Sequence, residues 1–300
     1  MPEIGKGRYS EIEELPFREK SGNFNFNERI DSLKEIFSHR GLIFLLVKRD
    51  VRARYKDSAF GMLWSLVRPI TQLLIYFVVI GYFLGAARGI PDFAIYVYSG
   101  IAAYSLFSEI ISGATHSIVQ NSGLVKKVFL PREIFPLASA GSAIFNFIVQ
   151  FSLLVVFVVV TGKFTFGVNL LYVIPGISIL LVYGLAFGLI LSALNVYMRD
   201  VGHLVDVVLM LLMWASPVVY SWGMVQTVLG KGILLDVYSL NPVTLGVLAL
   251  QKAFWPGAVE AAYPDNLSVT MLIMFVIGVV FLFVAHGIFR RLQGSMAQEL

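Results

Sequence analysis

Cysteine is missing from all 300 residues, and charge is thin: Asp, Glu, Lys and Arg supply 14% of the chain, against about a quarter in an average soluble domain. The first absence removes disulfide frameworks, thiolate nucleophiles and cysteine-based metal sites. The second removes a solvated globular surface. What fills the chain instead is apolar: 57% of residues are hydrophobic and the mean hydropathy is +0.78, the composition of a protein whose outside faces lipid. The first stretch, MPEIGKGRYSEIEELPFREKSGNFNF, has mixed charge and no apolar core, so it does not read as a cleaved signal. It is expected to form a flexible cytoplasmic tail over residues 1–28.

Six apolar runs are long enough to cross a hydrocarbon core of about 30 Å as helices, which takes about 20 residues. They are 59–86, 93–118, 134–160, 168–196, 204–222 and 268–289. The predicted fold class is an all-α integral membrane protein with six transmembrane helices. A seventh candidate, ILLDVYSLNPVTLGVLALQKAFW, is cut by Asp236 and by Asn241-Pro242, and the piece from Pro242 to Lys252 is too short to cross. It is expected to dip in and return as short re-entrant gate helices on the outer side, where non-spanning backbone is tolerated against protein.

A basic collar, Lys48, Arg49, Arg52, Arg54 and Lys56, precedes the first run. Lys and Arg gather on the cytoplasmic side of membrane proteins. With the start of the chain inside, the inner segments hold the collar, Lys126, Lys127, Arg132, Arg199, Arg290 and Arg291, while the outer loops hold Arg88, Lys163, Lys231 and Lys252. Both termini are therefore expected in the cytoplasm. Ile30, Leu33, Ile36 and Phe37, then Phe44, Val47, Val51 and Tyr55, fall at helical spacing. They predict an amphipathic cytoplasmic interface helix over 29–56, ahead of a transmembrane domain over 57–292 and a cytoplasmic tail over 293–300. Such a helix can rest on anionic headgroups or dock a cytoplasmic partner. The loop QNSGLVKKVFLPREIFPL favours a partner, because Asn121 or Ser122 can cap a short rigid helix that Pro131 ends.

Five strings, LVKRDVRARYKDSAFGMLWSLVRP, NSGLVKKVFLPREIFPL, LNVYMRDVGHLVDVVL, WASPVVY and LNP, occur in that order. Together they resemble the membrane subunit of type-2 ABC exporters for cell-surface polysaccharides, such as the O-antigen, teichoic-acid and galactan permeases. The resemblance implies a homodimer in the bacterial plasma membrane, seated on two copies of a cytoplasmic ABC ATPase. Its substrate would be a lipid-linked polysaccharide, and no nucleic acid is expected. It also implies a transport subunit and not an enzyme. That agrees with the lack of a G-x-x-x-x-G-K-[ST] loop, since Gly162-Lys163 is followed by Phe164 and Gly230-Lys231 by Gly232. ATP and magnesium would bind the partner, and this chain would hold no cofactor and no metal. Asn121, Ser122, Gly123, Leu124, Val125, Lys126 and Lys127, with the Arg199-Asp200 turn, are then the expected ATPase-coupling elements.

Ionisable residues inside spans cost about 2.5–3.5 kcal/mol each on insertion scales. Glu109, His116 and Asp206 read first as interhelical partners and second as proton-relay groups. Arg68, beside Pro69, can snorkel to the collar or meet a substrate phosphate. Aromatic residues supply 14% of the chain, and most fit lipid-facing belts and packing. Tyr76, Tyr104, Trp214 and Tyr220 combine a stacking face with a hydrogen-bonding tip, as a sugar ring requires. With Arg68 they form the expected channel wall. Two other transport classes stay open, an exporter for a drug or small lipid and a secondary transporter. A polyprenyl-sugar transferase would need convergent carboxylates, whereas the loop residues Asp92, Asp236, Glu260 and Asp265 are far apart in sequence.

Overall fold

The computed structural model describes residues 34–55, 64–83, 85, 89–127, 130–164, 166–230, 232–259 and 261–300. The expected tail 1–28, the first part of the interface helix at 29–33 and the start of the first span at 59–63 lie outside the described residues. In chain order the helices are α1 (Arg40–Tyr55), α2 (Trp64–Ile75, continuing in wider turns over Tyr76–Phe83), α3 (Phe93–Gln120), α4 (Ser122–Lys127), α5 (Ile134–Val160), α6 (Val173–Tyr197, entered by a tight turn Val168–Tyr172), α7 (Asp200–Trp214), α8 (Trp222–Leu229), α9 (Ile233–Ser239), α10 (Pro242–Phe254), α11 (Leu267–Leu292) and α12 (Met296–Glu299). Among the described residues there is no strand. Residues 34–38 form a helical turn of their own, in which Ser38 Oγ donates to the Glu35 carbonyl at 2.7 Å.

Uninterrupted apolar runs become long helices, and shorter helices stop ahead of Pro217, Pro242 and Pro256. α3, α5, α6 with its leading turn and α11 are each long and apolar enough to cross a membrane. The fifth expected span is broken: α7 has 15 residues and ends at Trp214, two residues before Ser216-Pro217. Proline lacks an N–H and biases the residue before it away from helix. The freed carbonyls are taken up by side chains. Pro217 accepts from Tyr96 Oη at 3.1 Å and from Gln251 Nε2 at 2.8 Å, and Tyr220 accepts from Tyr96 Oη at 2.7 Å.

Contacts along α3 fix the direction of α7. Ser112 meets Asp206, Tyr104 meets Leu209, and Tyr96 meets Pro217, so the two segments run antiparallel over nearly all of α3. α9 and α10 bend against each other by 71°. α10 is buried along almost its whole length and packs on α6, with Gly176 against Ala249 and Gly246 against Leu180. Its start at Pro242 therefore lies one further turn in, near the middle of α6. Its end is at the rim, where Trp255 Nε1 donates to the Pro91 carbonyl at 2.6 Å. The α9–α10 pair is thus a V whose point lies beside the middle of α6.

The ends of α3, α5, α6 and α11 that carry Lys126, Lys127, Arg199, Arg290 and Arg291 gather around one apolar cluster, which includes Ile118, Ile134, Val196 and Phe289. α1 joins this basic end through buried Leu46 and half-buried Leu42, Ile43 and Val47, while Phe44 and Leu45 stay exposed. Its apolar surface is therefore wider than the single stripe expected of it. The last residues were expected to be a tail. They fold back instead as α12: Met296 is fully buried in the same cluster, and Tyr197 Oη donates to the Leu292 carbonyl.

Candidate functional site: a polar groove and a basic end

Ser105, Ser108, Glu109 and Ser112 recur at intervals of three and four on α3 and so share one face. Opposite them stand Gln72 of α2, Asn146 and Gln150 of α5, and Asp206 and Met213 of α7, with Arg54 of α1 at the edge. Together they surround an open groove of about 770 Å³, within the range of ligand-sized clefts. Its polar groups are held in place. Asn146 Nδ2 donates to Glu109 Oε2 at 2.6 Å, Arg54 Nη1 lies 3.9 Å from the same oxygen, and Ser112 Oγ donates to Asp206 Oδ1 at 3.4 Å. A stripe of hydroxyls, amides and carboxylates in an otherwise apolar bundle is stable where it lines a wet path or is fully paired. Here it does both.

At the basic end Asn121 is the pivot between two helices. Its N–H donates to the Ser117 and Ile118 carbonyls, each at 3.2 Å, which closes α3. Its own carbonyl accepts from Leu124 and Val125 at 2.9 and 3.1 Å, which starts α4. This helix has six residues, with Lys126 and Lys127 exposed, Leu124 38% exposed and Val125 buried. The nearby turn Met198, Arg199 and Asp200 is also exposed. Behind α4, Glu133 is buried with His286 Nε2 3.7 Å from its Oε1. Burial pushes the Arg132 guanidinium below its ordinary value, although Tyr197 and Glu133 pull it the other way. These groups pin the root of α5 to α11.

Residues 41–255 match the family described as ABC-2 type transporter. The chain belongs to the ABC-2 type transporter family. It is 28% identical over 269 residues to the O-antigen export system permease protein RfbA of Myxococcus xanthus, covering 89% of this chain and 98% of that protein. It is 24% identical over 260 residues to the RfbA protein of Klebsiella pneumoniae, covering 86% and 95%. The polysialic acid transport protein KpsM of Escherichia coli is 24% identical over 257 residues, covering 84% and 93%. This is the family that the five sequence strings resemble.

Within this ABC-2 transporter chain, the residues expected on a channel wall are divided. Tyr104 lines the groove, with its Oη donating to the Leu209 carbonyl at 2.7 Å. Tyr76 is buried beside it and donates to Met213 Sδ at 3.5 Å. Trp214 is half-exposed on α7. Tyr220 is tied to the Trp214 carbonyl at 2.7 Å and to Tyr238 Oη at 3.1 Å, so it fastens the turn after α7. The Arg68 side chain lies outside the described residues. The serine stripe of α3 and Asn146 and Gln150 of α5, none of them among the expected wall residues, line the groove as well. The signal was present in YSLFSEIIS, where polar residues keep helical spacing inside an apolar run. Of the residues expected to couple to an ATPase, Val125 faces inward while Leu124, Lys126, Lys127, Arg199 and Asp200 face out.

Proposed function

We propose that two copies of this chain form the membrane part of an ABC exporter for a lipid-linked polysaccharide, in the bacterial plasma membrane. The observation that carries this reading is the groove. Its wall offers donors and acceptors that can exchange with the hydroxyls of a passing sugar chain, and the relatives are named for O-antigen and polysialic acid. Six crossings follow if α2 and the α7 segment join the four long helices, with the V of α9 and α10 re-entering from the outer side as a gate. A polymer conduit is too wide for one close-packed bundle. The exposed apolar residues Leu204, Val207 and Leu211 on α7, next to the groove, offer a surface for the second copy.

The basic end faces the cytoplasm in this reading, with both termini there, as the bias of Lys and Arg favours. α4 and the Arg199-Asp200 turn then dock a separate ATPase, of which two copies bind ATP and magnesium. The test is Leu124→Asp. The expected result is a chain that still inserts and folds but loses both polymer export and its stimulation of ATP hydrolysis. Val125 is left intact because it belongs to the core. Normal export with normal stimulation would refute the docking role.

A further inference from the structure

We propose that the groove selects an uncharged, hydroxyl-rich glycan and turns away an acidic one, with Asp206 as the residue that decides. This names the substrate class of the site already described, and it rests on the reading of that groove as the polymer's path. A hydroxyl has one proton to give and two lone pairs. Along the groove those protons are already spent on the protein. Tyr104 Oη donates to the Leu209 carbonyl at 2.7 Å, Ser108 Oγ to the Ser105 carbonyl at 3.2 Å and Ser112 Oγ to Asp206 Oδ1 at 3.4 Å. Asn146 likewise turns Nδ2 to Glu109 Oε2 at 2.6 Å. What the three hydroxyls leave for a guest is lone pairs, and the two carboxylates add acceptors without a donor. Gln72 and Gln150 contribute amides, whose donor and acceptor sites are equal in number and so do not reverse the balance.

A neutral sugar ring suits such a wall, because each of its hydroxyls brings a proton that a lone pair can take. A carboxylate or phosphodiester brings only lone pairs to meet lone pairs. It would give up water without a donor to replace it, which is how a polar site rejects a wrong guest. Charge acts in the same direction. Arg54, the cation at the edge, lies 3.9 Å from Glu109 Oε2 and is matched by it. Asp206 has no such match: among the described residues it accepts from Ser112 and pairs with no cation. It is exposed on α7, one turn before the lining residues Leu209 and Met210. Repulsion from an unmatched carboxylate reaches about 8 Å in physiological salt. An acidic group on the guest is therefore turned away before it touches Asp206.

The test uses the complete exporter in lipid vesicles, ATPase included. Two probes share one backbone and one length: a lipid-linked galactose polymer, and the same polymer with part of its primary hydroxyls oxidised to carboxylates. The parent protein should export the neutral chain at least about tenfold faster. Asp206→Asn keeps the size of the side chain and an acceptor for Ser112, and should raise the oxidised-to-neutral export ratio about tenfold. Asp206→Glu restores the charge and should return the ratio to that of the parent, which a merely structural role for Asp206 would not produce. Equal export of the two chains by the parent, a preference for the oxidised one, or no export of the neutral one would overturn the selection. A ratio left unchanged by Asp206→Asn would overturn the role of that residue. Failure of the transport reading looks different, since Ser105→Leu with Ser108→Leu would then leave export of the neutral chain whole.

Discussion

α3 and α11 have similar lengths, 28 and 26 residues, yet they are placed in opposite ways. α3 is the least apolar of the four long helices and the most enclosed, with 72% of its membrane window buried, whereas α11 is the most apolar and has 22% buried. A protein in water would reverse this order. In lipid, apolar surface gains nothing by hiding, and polar groups do. α11 presents Leu272, Ile273, Val276 and Val280 outward and touches the bundle through small or flexible residues such as Gly278 and Met274. α3 turns one face to a dry seam, where Ile110 and Ala114 meet Gly184 and Gly188 of α6, and its serine face to the groove. One helix is both wall and lining.

Substitutions can break that contrast at graded cost. The largest effect belongs to the seam. A Cβ at Gly188 would lie 2.8 Å from Ala114 Cβ, so Gly188→Leu should destabilise the folded chain by about 1–3 kcal/mol. Thermal unfolding of the detergent-solubilised protein measures this, and an unchanged midpoint would show that α3 and α6 are not closely packed. Next comes the groove. Ser105→Leu with Ser108→Leu should leave the unfolding midpoint in place and lower polymer export at least about tenfold, a barrier of about 1.4 kcal/mol. Full export would remove the groove from the path.

Tyr104→Phe deletes a single hydrogen bond to the Leu209 carbonyl. It should cost about 0.5–1.5 kcal/mol of stability, with a smaller loss of export. The smallest effect is expected on α11, where Ile273→Ala, at a position 52% exposed, should stay within about 0.5 kcal/mol. A large loss there would mean that this face of α11 packs against protein instead of lipid.

The long helices could be read from the sequence because nothing interrupts them. The run 134–160 matches α5 at both ends, and 93–118 falls two residues short of α3. Asn241-Pro242 was legible for the complementary reason, since a cap followed by a proline announces a helix start. The fifth expected span was legible only in part: its run reaches Trp222, but the helix ends at Trp214, and the carbonyls beyond it are served by Tyr96 and Gln251 from distant parts of the chain. No local pattern records such partners. Val125 was hidden by brevity, because a helix of six residues has no period from which to tell inside from outside. α12 was hidden likewise, as a single buried Met296 leaves no stripe. The groove could have been found and was missed. Serines carry little hydropathy signal in an apolar run, although their small hydroxyls obstruct an open groove less than rings do.

The start of α10 bears on how the membrane stays charged. A helix beginning at mid-depth brings bare N–H groups and the positive end of its dipole into a medium of low dielectric. Here Pro242 has no N–H, the N–H of Val243 is taken by Asn241 Oδ1 at 3.0 Å, and that of Asn241 donates to the Tyr238 carbonyl at 3.3 Å. Bare donors at this depth would recruit a file of water, and a file of water conducts protons. By tying up or omitting the donors of Asn241, Pro242 and Val243, this start lets the backbone turn beside the middle of α6 with less to draw in water, and in the proposed exporter it would help to limit proton leak past the outer gate.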